Sequence, residues 1–562
     1  MQWWLGFIPL LAGLAAAPLV VVLAGAAERG SGPGVAAAKE PIPPASEPEP
    51  FERIGIILVH GIGEQRRFQH LDGQMRDLLR ALRGMRHGAP FGTVWQVSVD
   101  IAPSGGAAFA ADQDSWNSGP EPTITVTVDH DLNGTYQRTQ LLVHEVWWAD
   151  VNEPYSIAKQ VRFWLWGLAM WAVPERPQAA RLGSTDRVAP PVIAHQPWLW
   201  DRLRLWMVGV FFVLLGYSIG TITFLATRLF NLQAPNILKT ITNFISGVKL
   251  YNQQHRYGAG FISKHEEFLD SIDEPPRVSI RRRMIRAIAD AATNHYHRWY
   301  VLAHSQGTIV AFNGLMETAY AWPGYLNEER WQTLKARGMA GPAAQGAALP
   351  GPPNMPRRPG WARANEIAYR SRIFARCRGF LTYGSPLQKF AGLWPALVPI
   401  SRENAGLQRI DWINVYDPID PVSGILSAFD SQPASCCPRV RNYGYAAYWV
   451  LLLAHLNYLT RRAKPPAPAD DLATRTIRWM ITDTPASFTS PAGGSALGSW
   501  YGDDSRQRLV RSAIAWVTWL AAATILIAVA AILLPIVKTA MVAAAGAIWT
   551  AAEKASPWGP RP

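Results

Sequence analysis

Ser305 stands in Ala303-His304-Ser305-Gln306-Gly307, between the apolar run Trp299–Ala303 and the helical run Thr308–Tyr320. A strand that breaks into small-x-Ser-x-Gly and then a helix lifts the serine hydroxyl out at the carboxyl edge of a sheet. The small residues are needed because the turn is tight, and here the first of them is Ala303, not Gly. A serine hydroxyl is a poor nucleophile at neutral pH and needs a base. Of the 12 histidines in the chain, one follows Ser305, and it is His455. In one known arrangement of such groups the chain order is serine, carboxylate, histidine. Elimination then makes His455 the base, although its setting in Trp449–Leu459 equally suits a buried core histidine. The carboxylate must hold the imidazole tautomer and sit just past a strand. Asp417 and Asp420 both qualify, in Asp417-Pro418-Ile419-Asp420-Pro421-Val422 after the apolar run Trp412–Tyr416. Asp420 is preferred because it falls in the turn beyond the strand and not on its last rung.

Attack on a carbonyl builds negative charge on oxygen, which two backbone N–H groups can hold. One belongs to the residue after the nucleophile, Gln306. The other is expected from His60-Gly61-Ile62-Gly63, with Ile62 as donor and Gly61 freeing the turn. His60 reads as a hydrogen bonder that shapes this loop, not as a base.

The elements that must position these groups are legible in outline. Ile54–Val59 is a short continuous apolar run, as a buried parallel strand requires. Arg66–Met85 has helical periodicity, Val94–Val99 alternates, and Ser279–Ala292 reads as an amphipathic helix. Phe380–Tyr383 is a further strand, ended sharply by Gly384-Ser385-Pro386. Strands alternating with helices argue an α/β fold with a mostly parallel sheet. Thr123–Val128 and Tyr136–Val146 read as a hairpin about Asn133-Gly134. That turn also spells Asp129-x-Asp131-x-Asn133-Gly134, the opening of a calcium loop, but Gln140 stands where the bidentate Glu belongs and strands flank it. The hairpin is the reading adopted.

Taken together these motifs resemble the α/β-hydrolase superfamily, in its lipase/esterase-like branch. The similarity covers roughly residues 51–150 and 276–460 and runs through His-Gly-x-Gly, Ala-His-Ser-x-Gly, Tyr-Gly-Ser-Pro, Asp-Pro-x-Asp-Pro-Val and the lone later histidine. The resemblance implies an α/β-hydrolase fold and hydrolysis of an ester or thioester through an acyl-enzyme on Ser305. It implies no metal and no organic cofactor.

Composition turns attention to membranes. The chain has 562 residues, of which 17% are charged, low for a soluble protein, and 25 are Trp, which favours interfaces as well as cores. Three cysteines, Cys377, Cys436 and Cys437, are too few for a disulfide framework and have no zinc spacing. The net charge of +13 is scattered. Its densest run, Arg281-Arg282-Arg283 with Arg286, reads as a solvated helix face or a contact with anionic lipid and not as nucleic-acid binding. Trp3–Ala26, Leu205–Thr227 and Ala513–Pro535 are uncharged and long enough to span a bilayer. Met541–Ala552 is a weaker apolar tail. The strand Ile54–Val59 precedes Leu205–Thr227 and Ser305 follows it, yet both must belong to one sheet, so an even number of crossings is needed between Val59 and Ser305. Val161–Val173 would pair with Leu205–Thr227 as a hairpin.

The expected organisation is an anchor at 1–27, a Pro/Glu-rich linker at 28–50, hydrolase core at 51–154, an inserted membrane hairpin at 155–230, core again at 231–465, a loop-rich segment at 466–505 and a membrane segment at 506–562. Arginines and lysines beside the spans lean the catalytic domain to the cytoplasmic side of a multi-pass membrane protein. An active site beside a bilayer suggests a lipid or acyl-chain ester as substrate and membrane lipids as partners. The function expected is a membrane-anchored serine esterase. The alternatives are an acyltransferase using the same triad and a non-catalytic membrane scaffold. No feature specifies an oligomeric state.

Overall fold

The computed structural model describes residues 49–61, 69–85, 94–102, 123–132, 134–149, 276–344, 358–393, 410–417, 422–426, 440–445, 451–459 and 471–488, with 356, 398, 420, 429 and single helical positions between 535 and 550. Along the chain run β1 (Glu49–Val59), β2 (Val94–Ala102), β3 (Thr123–Leu132), β4 (Thr135–Val146), β5 (Arg298–His304), β6 (Ala340–Pro342), β7 (Glu366–Ala368), β8 (Cys377–Tyr383), β9 (Asp411–Tyr416) and β10 (Val440–Gly444). The helices that matter here are α1 (Gln69–Gly84), α2 (Pro276–Thr293), α3 (Gly307–Leu315), α4 (Glu328–Ala336), α5 (Leu387–Leu393), α6 (Leu451–Leu456) and α7 (Leu472–Thr482).

Eight strands form one sheet in the order β10-β9-β8-β5-β1-β4-β3-β2. From β10 to β4 every pair is parallel, and β4, β3 and β2 are antiparallel. The central strands are apolar on both faces because both faces are covered. In β1, Ile57 and Val59 pack into the core that holds α2 and α3, while Ile54, Ile56 and Leu58 pack into the opposite core with α1 and α7. In β5 the same alternation sends Trp299, Val301 and Ala303 one way and Tyr300 and Leu302 the other. The β1–β5 register ends with Val59 opposite Ala303. That one rung sets His60-Gly61 beside His304-Ser305, although the two pairs are far apart in sequence.

A turn at Gly134 joins β3 to β4, with Leu132 facing Thr135. Its acidic residues are spent on the hairpin itself. The Asp131 carboxylate accepts the Gly134 N–H at 2.7 Å, and Arg138 donates to both oxygens of Asp129 at 2.6 and 2.9 Å.

Several expectations are corrected. Among the described residues no helix is long and apolar enough to cross a membrane. Trp3–Ala26, Val161–Val173, Leu205–Thr227 and Ala513–Leu534 lie outside the described residues. The fold is therefore a mostly parallel eight-stranded mixed sheet with helices, and the transmembrane helices and multi-pass membrane location are withdrawn. The cytoplasmic placement depended on charges flanking those spans and goes with them. An apolar run reports only that its side chains avoid water, and a bilayer is one of several ways to do so. The arginine run on α2 is not a solvated face either. Arg282, Arg283 and Arg286 are buried, and Arg281 pairs with buried Glu317 at 2.6 Å. Its helix is covered on more than one side, so charge along it does not mark solvent.

The segment 466–505 is not loop throughout. Asp471 caps α7 by accepting the Thr474 N–H at 2.7 Å, and Leu472, Ala473, Ile477, Trp479, Met480 and Ile481 join the core. Their helical spacing is present in the sequence but is flanked by stretches dense in Pro, Ala and Gly. At the other end, β1 begins at Glu49, so the close of the Pro/Glu-rich stretch already belongs to the sheet.

Candidate active site

The carboxyl ends of β5, β8 and β9 meet at one rim. At the end of β5 the backbone turns through Ser305 at φ +52°, a left-handed conformation uncommon for a residue with a side chain. The surroundings hold it there. The Ser305 N–H donates to the Tyr383 carbonyl at 3.0 Å, and its own carbonyl accepts from the Thr308 N–H at 3.0 Å and the Thr308 hydroxyl at 2.7 Å. Ser385, in the turn after β8, stands 2.9 Å from the Thr308 hydroxyl and ties that turn to the same place. The two glycine positions of the motifs are packed against each other's loops. A Cβ on Gly307 would lie 2.3 Å from the His60 carbonyl oxygen, and one on Gly61 2.7 Å from Ser305 Cβ.

His455 lies on α6 and reaches Ser305. Its Nε2 is 2.9 Å from Ser305 Oγ, and its Nδ1 is 2.9 Å from Asp420 Oδ2. Asp420 is buried yet ionised. Burial alone would raise its pKa, but His455, the Val422 N–H at 2.8 Å and the Tyr458 hydroxyl at 2.8 Å hold it down at about 2. A carboxylate only accepts, so His455 Nδ1 carries the ring proton and Nε2 is the acceptor facing the serine hydroxyl. This is the tautomer a base needs.

Of the two candidate acids, Asp420 is the one bonded to His455. Asp417 instead contributes its backbone, donating its N–H to Tyr458 Oη at 2.9 Å. Gln306 follows Ser305 at the head of α3 and is fully buried. Ile62 lies outside the described residues, while Gly61 beside it packs on Ser305. His60 is buried with its ring stacked on Trp148, and its Nε2 accepts the Trp148 N–H at 3.0 Å while Trp148 Nε1 donates to the His60 carbonyl at 3.1 Å. It pins the end of β4 to the turn after β1.

Two further residues belong to the rim. Tyr458 spends its one proton on Asp420 and accepts from Asp417 N–H and from Ser423 Oγ at 2.9 Å. It sits three residues after His455, just past the end of α6. His304, inside the pentapeptide, donates its Nε2–H to the His455 carbonyl at 2.8 Å. Burial, with His455 next in weight, drives its pKa down to about 3, so it is neutral. Neither it nor Tyr458 competes for the serine proton. The assembled groups can do one thing chemically: pass a proton from Ser305 to His455 while Asp420 steadies the resulting charge.

No protein-family model, no curated protein and no solved structure matches the chain.

Proposed function

We propose that the chain is a serine hydrolase that cleaves a carboxylic ester through an acyl-enzyme on Ser305. The observation that carries this reading is the bridge made by His455, 2.9 Å from Ser305 Oγ on one side and 2.9 Å from Asp420 Oδ2 on the other. Ser305 Oγ bonds to the ester carbonyl carbon as His455 Nε2 takes its proton. The charge on the former carbonyl oxygen is held by the Gln306 and Ile62 amides, and the imidazolium by Asp420. Collapse releases the alcohol, which leaves with the proton from His455. Water then repeats the sequence on the acyl-enzyme and frees the acid and the serine.

The three side chains supply nucleophile, base and orienting charge, so the reading calls on no cofactor. Support for kinship with lipase/esterase-like α/β-hydrolases comes from the Ser, Asp, His order and from a nucleophile turn set between β5 and α3. The lipid or acyl-chain ester expected from the sequence depended on a bilayer beside the site. With that location withdrawn, the proposal stops at a carboxylic ester. The test is labelling of the purified full chain with a fluorophosphonate probe, alongside p-nitrophenyl acetate turnover. Labelling and turnover that vanish in Ser305→Ala are expected. Folded wild-type protein that takes no label would overturn the reading.

A further inference from the structure

We propose that His304 is a positioning residue that holds the base in line with the nucleophile by hydrogen bonding to the backbone carbonyl of His455. The proposal rests on the serine-hydrolase reading of the same site.

Two consecutive residues of one strained turn grip a single residue elsewhere in the chain. Ser305 meets the ring of His455 at 2.9 Å, and His304 meets its carbonyl oxygen at 2.8 Å. That carbonyl lies in the last turn of α6, where C=O groups have no donor within their own helix. The helix has six residues, too short to hold its shape by its own hydrogen bonds. On its outer side Leu456 is 61% exposed, so packing does not fix that flank. A donor arriving from the nucleophile's own turn sets where the imidazole enters the site.

The donor is itself immobilised. The His304 ring stacks on Tyr383 with centroids 5.1 Å apart and on His70 at 6.2 Å, with interplanar angles of 22° and 9°. Gly384 backs it so closely that an added Cβ would lie 3.2 Å from His304 Nε2. A carbonyl can only accept, so Nε2 carries the proton, and a neutral ring puts no second positive charge beside the imidazolium formed at His455. A planar ring to be clamped and a donor at its far end together describe histidine. Misplacement of a catalytic group by about 1 Å can cost on the order of a hundredfold in rate.

The experiment compares the wild type with His304→Phe, which keeps the stacking and loses the donor, and with His304→Gln, whose amide nitrogen can replace Nε2. Rates of fluorophosphonate labelling, kcat and KM for p-nitrophenyl acetate, and thermal melting are read on the full chain. The expected result is a fall of roughly 10- to 100-fold in labelling rate and kcat for His304→Phe, with KM and melting near wild type, and recovery to within a few-fold in His304→Gln. Should His304→Phe not fold, His304→Asn takes its place, since its amide falls short of the carbonyl, and is expected to be slow. A donor-lacking or short variant that labels at the wild-type rate overturns the proposal. So does a folded His304→Gln as slow as His304→Phe. Wild type that takes no label overturns the hydrolase reading instead, which separates the two failures.

Discussion

On the β2–β3–β4 side of the sheet, polar groups pair across neighbouring strands one pair at a time, Arg138, its side chain 39% exposed, with buried Asp129, and buried His130 with Thr139 at 2.9 Å. On the β8–β9 side they are buried and interlocked. The Thr382 hydroxyl accepts from Trp412 Nε1 at 3.1 Å and donates to Asn414 Oδ1 at 3.0 Å, and Asn414 Nδ2 reaches the Gly424 carbonyl and Asn442 at 3.0 and 2.9 Å. Above them Ser423, Asp417, Tyr458, Asp420 and His455 form a second linked set. Pairs that share no partner are separable, and each is worth on the order of 1 kcal/mol. A buried polar network behaves as a unit, because each group left without its partner carries the full cost of desolvation. The antiparallel wing is thus a scaffold that tolerates change, and the rim is a device that does not.

The largest expected effect at the rim comes from Asp420→Asn. The amide can face His455 Nδ1 with its own donor and force the wrong tautomer, so kcat should fall by about 10⁴-fold, and melting at pH 7 should fall with it because the held charge is gone. The same variant carries a pH signature. The Asp420 carboxyl is held at about 2 in the fold against an ordinary 3.8. Its ionised form therefore adds stability that is fully present above pH 3.8 and is lost as pH falls towards 2. Urea midpoints at pH 5 and pH 2.5 should separate less in Asp420→Asn than in the wild type. An equal loss in both would mean that the charge on Asp420 is not held by its neighbours.

Tyr458→Phe is the next step down. It removes one of three donors to Asp420, takes the Tyr458 oxygen from the Asp417 N–H, and leaves the Ser423 hydroxyl the Asp417 carbonyl at 3.4 Å. Loss of one hydrogen bond to a charged group, about 1.5–3 kcal/mol, appears partly as stability and partly as positioning. A kcat about tenfold lower with unchanged KM is expected, measured on p-nitrophenyl acetate. A kcat equal to wild type would show that His455 and the Val422 N–H are enough to hold Asp420.

How far these groups could be foreseen depends on how local their signals are. Ser305 was legible because strand, small residues and helix are contiguous, and His455 because the chain offers one histidine after it. The hairpin was legible because Asn-Gly and strict alternation are local rules. Tyr458 and His304 were not, since their partners lie 38 and 151 residues away and no periodicity encodes a bond across a sheet edge. The arginines of α2 misled because a charge run indicates solvent only when one face of its helix is bare, and coverage is a tertiary property. The apolar runs misled for a related reason: they state an aversion to water and not the medium that satisfies it.

One substitution made in both regions isolates the difference between them. Gly134 in the wing has φ +82° and Gly384 at the rim has φ +63°, so alanine meets similar backbone strain at each, about 1 kcal/mol. At Gly134 the new methyl meets nothing within 4 Å. At Gly384 it lies 3.1 Å from Tyr458 Cε2 and 3.2 Å from His304 Nε2, the two residues that hold the acid and the base. Gly134→Ala should therefore lower the melting temperature slightly and leave kcat unchanged. Gly384→Ala should add a several-fold loss of kcat, because the methyl pushes the His304 donor from the His455 carbonyl. If the two variants lose equal stability and neither loses activity, the rim has slack that its hydrogen bonds do not suggest. If Gly134→Ala alone reduces kcat, the wing is coupled to the site through β4 and the Trp148–His60 contact, and the division between scaffold and device fails.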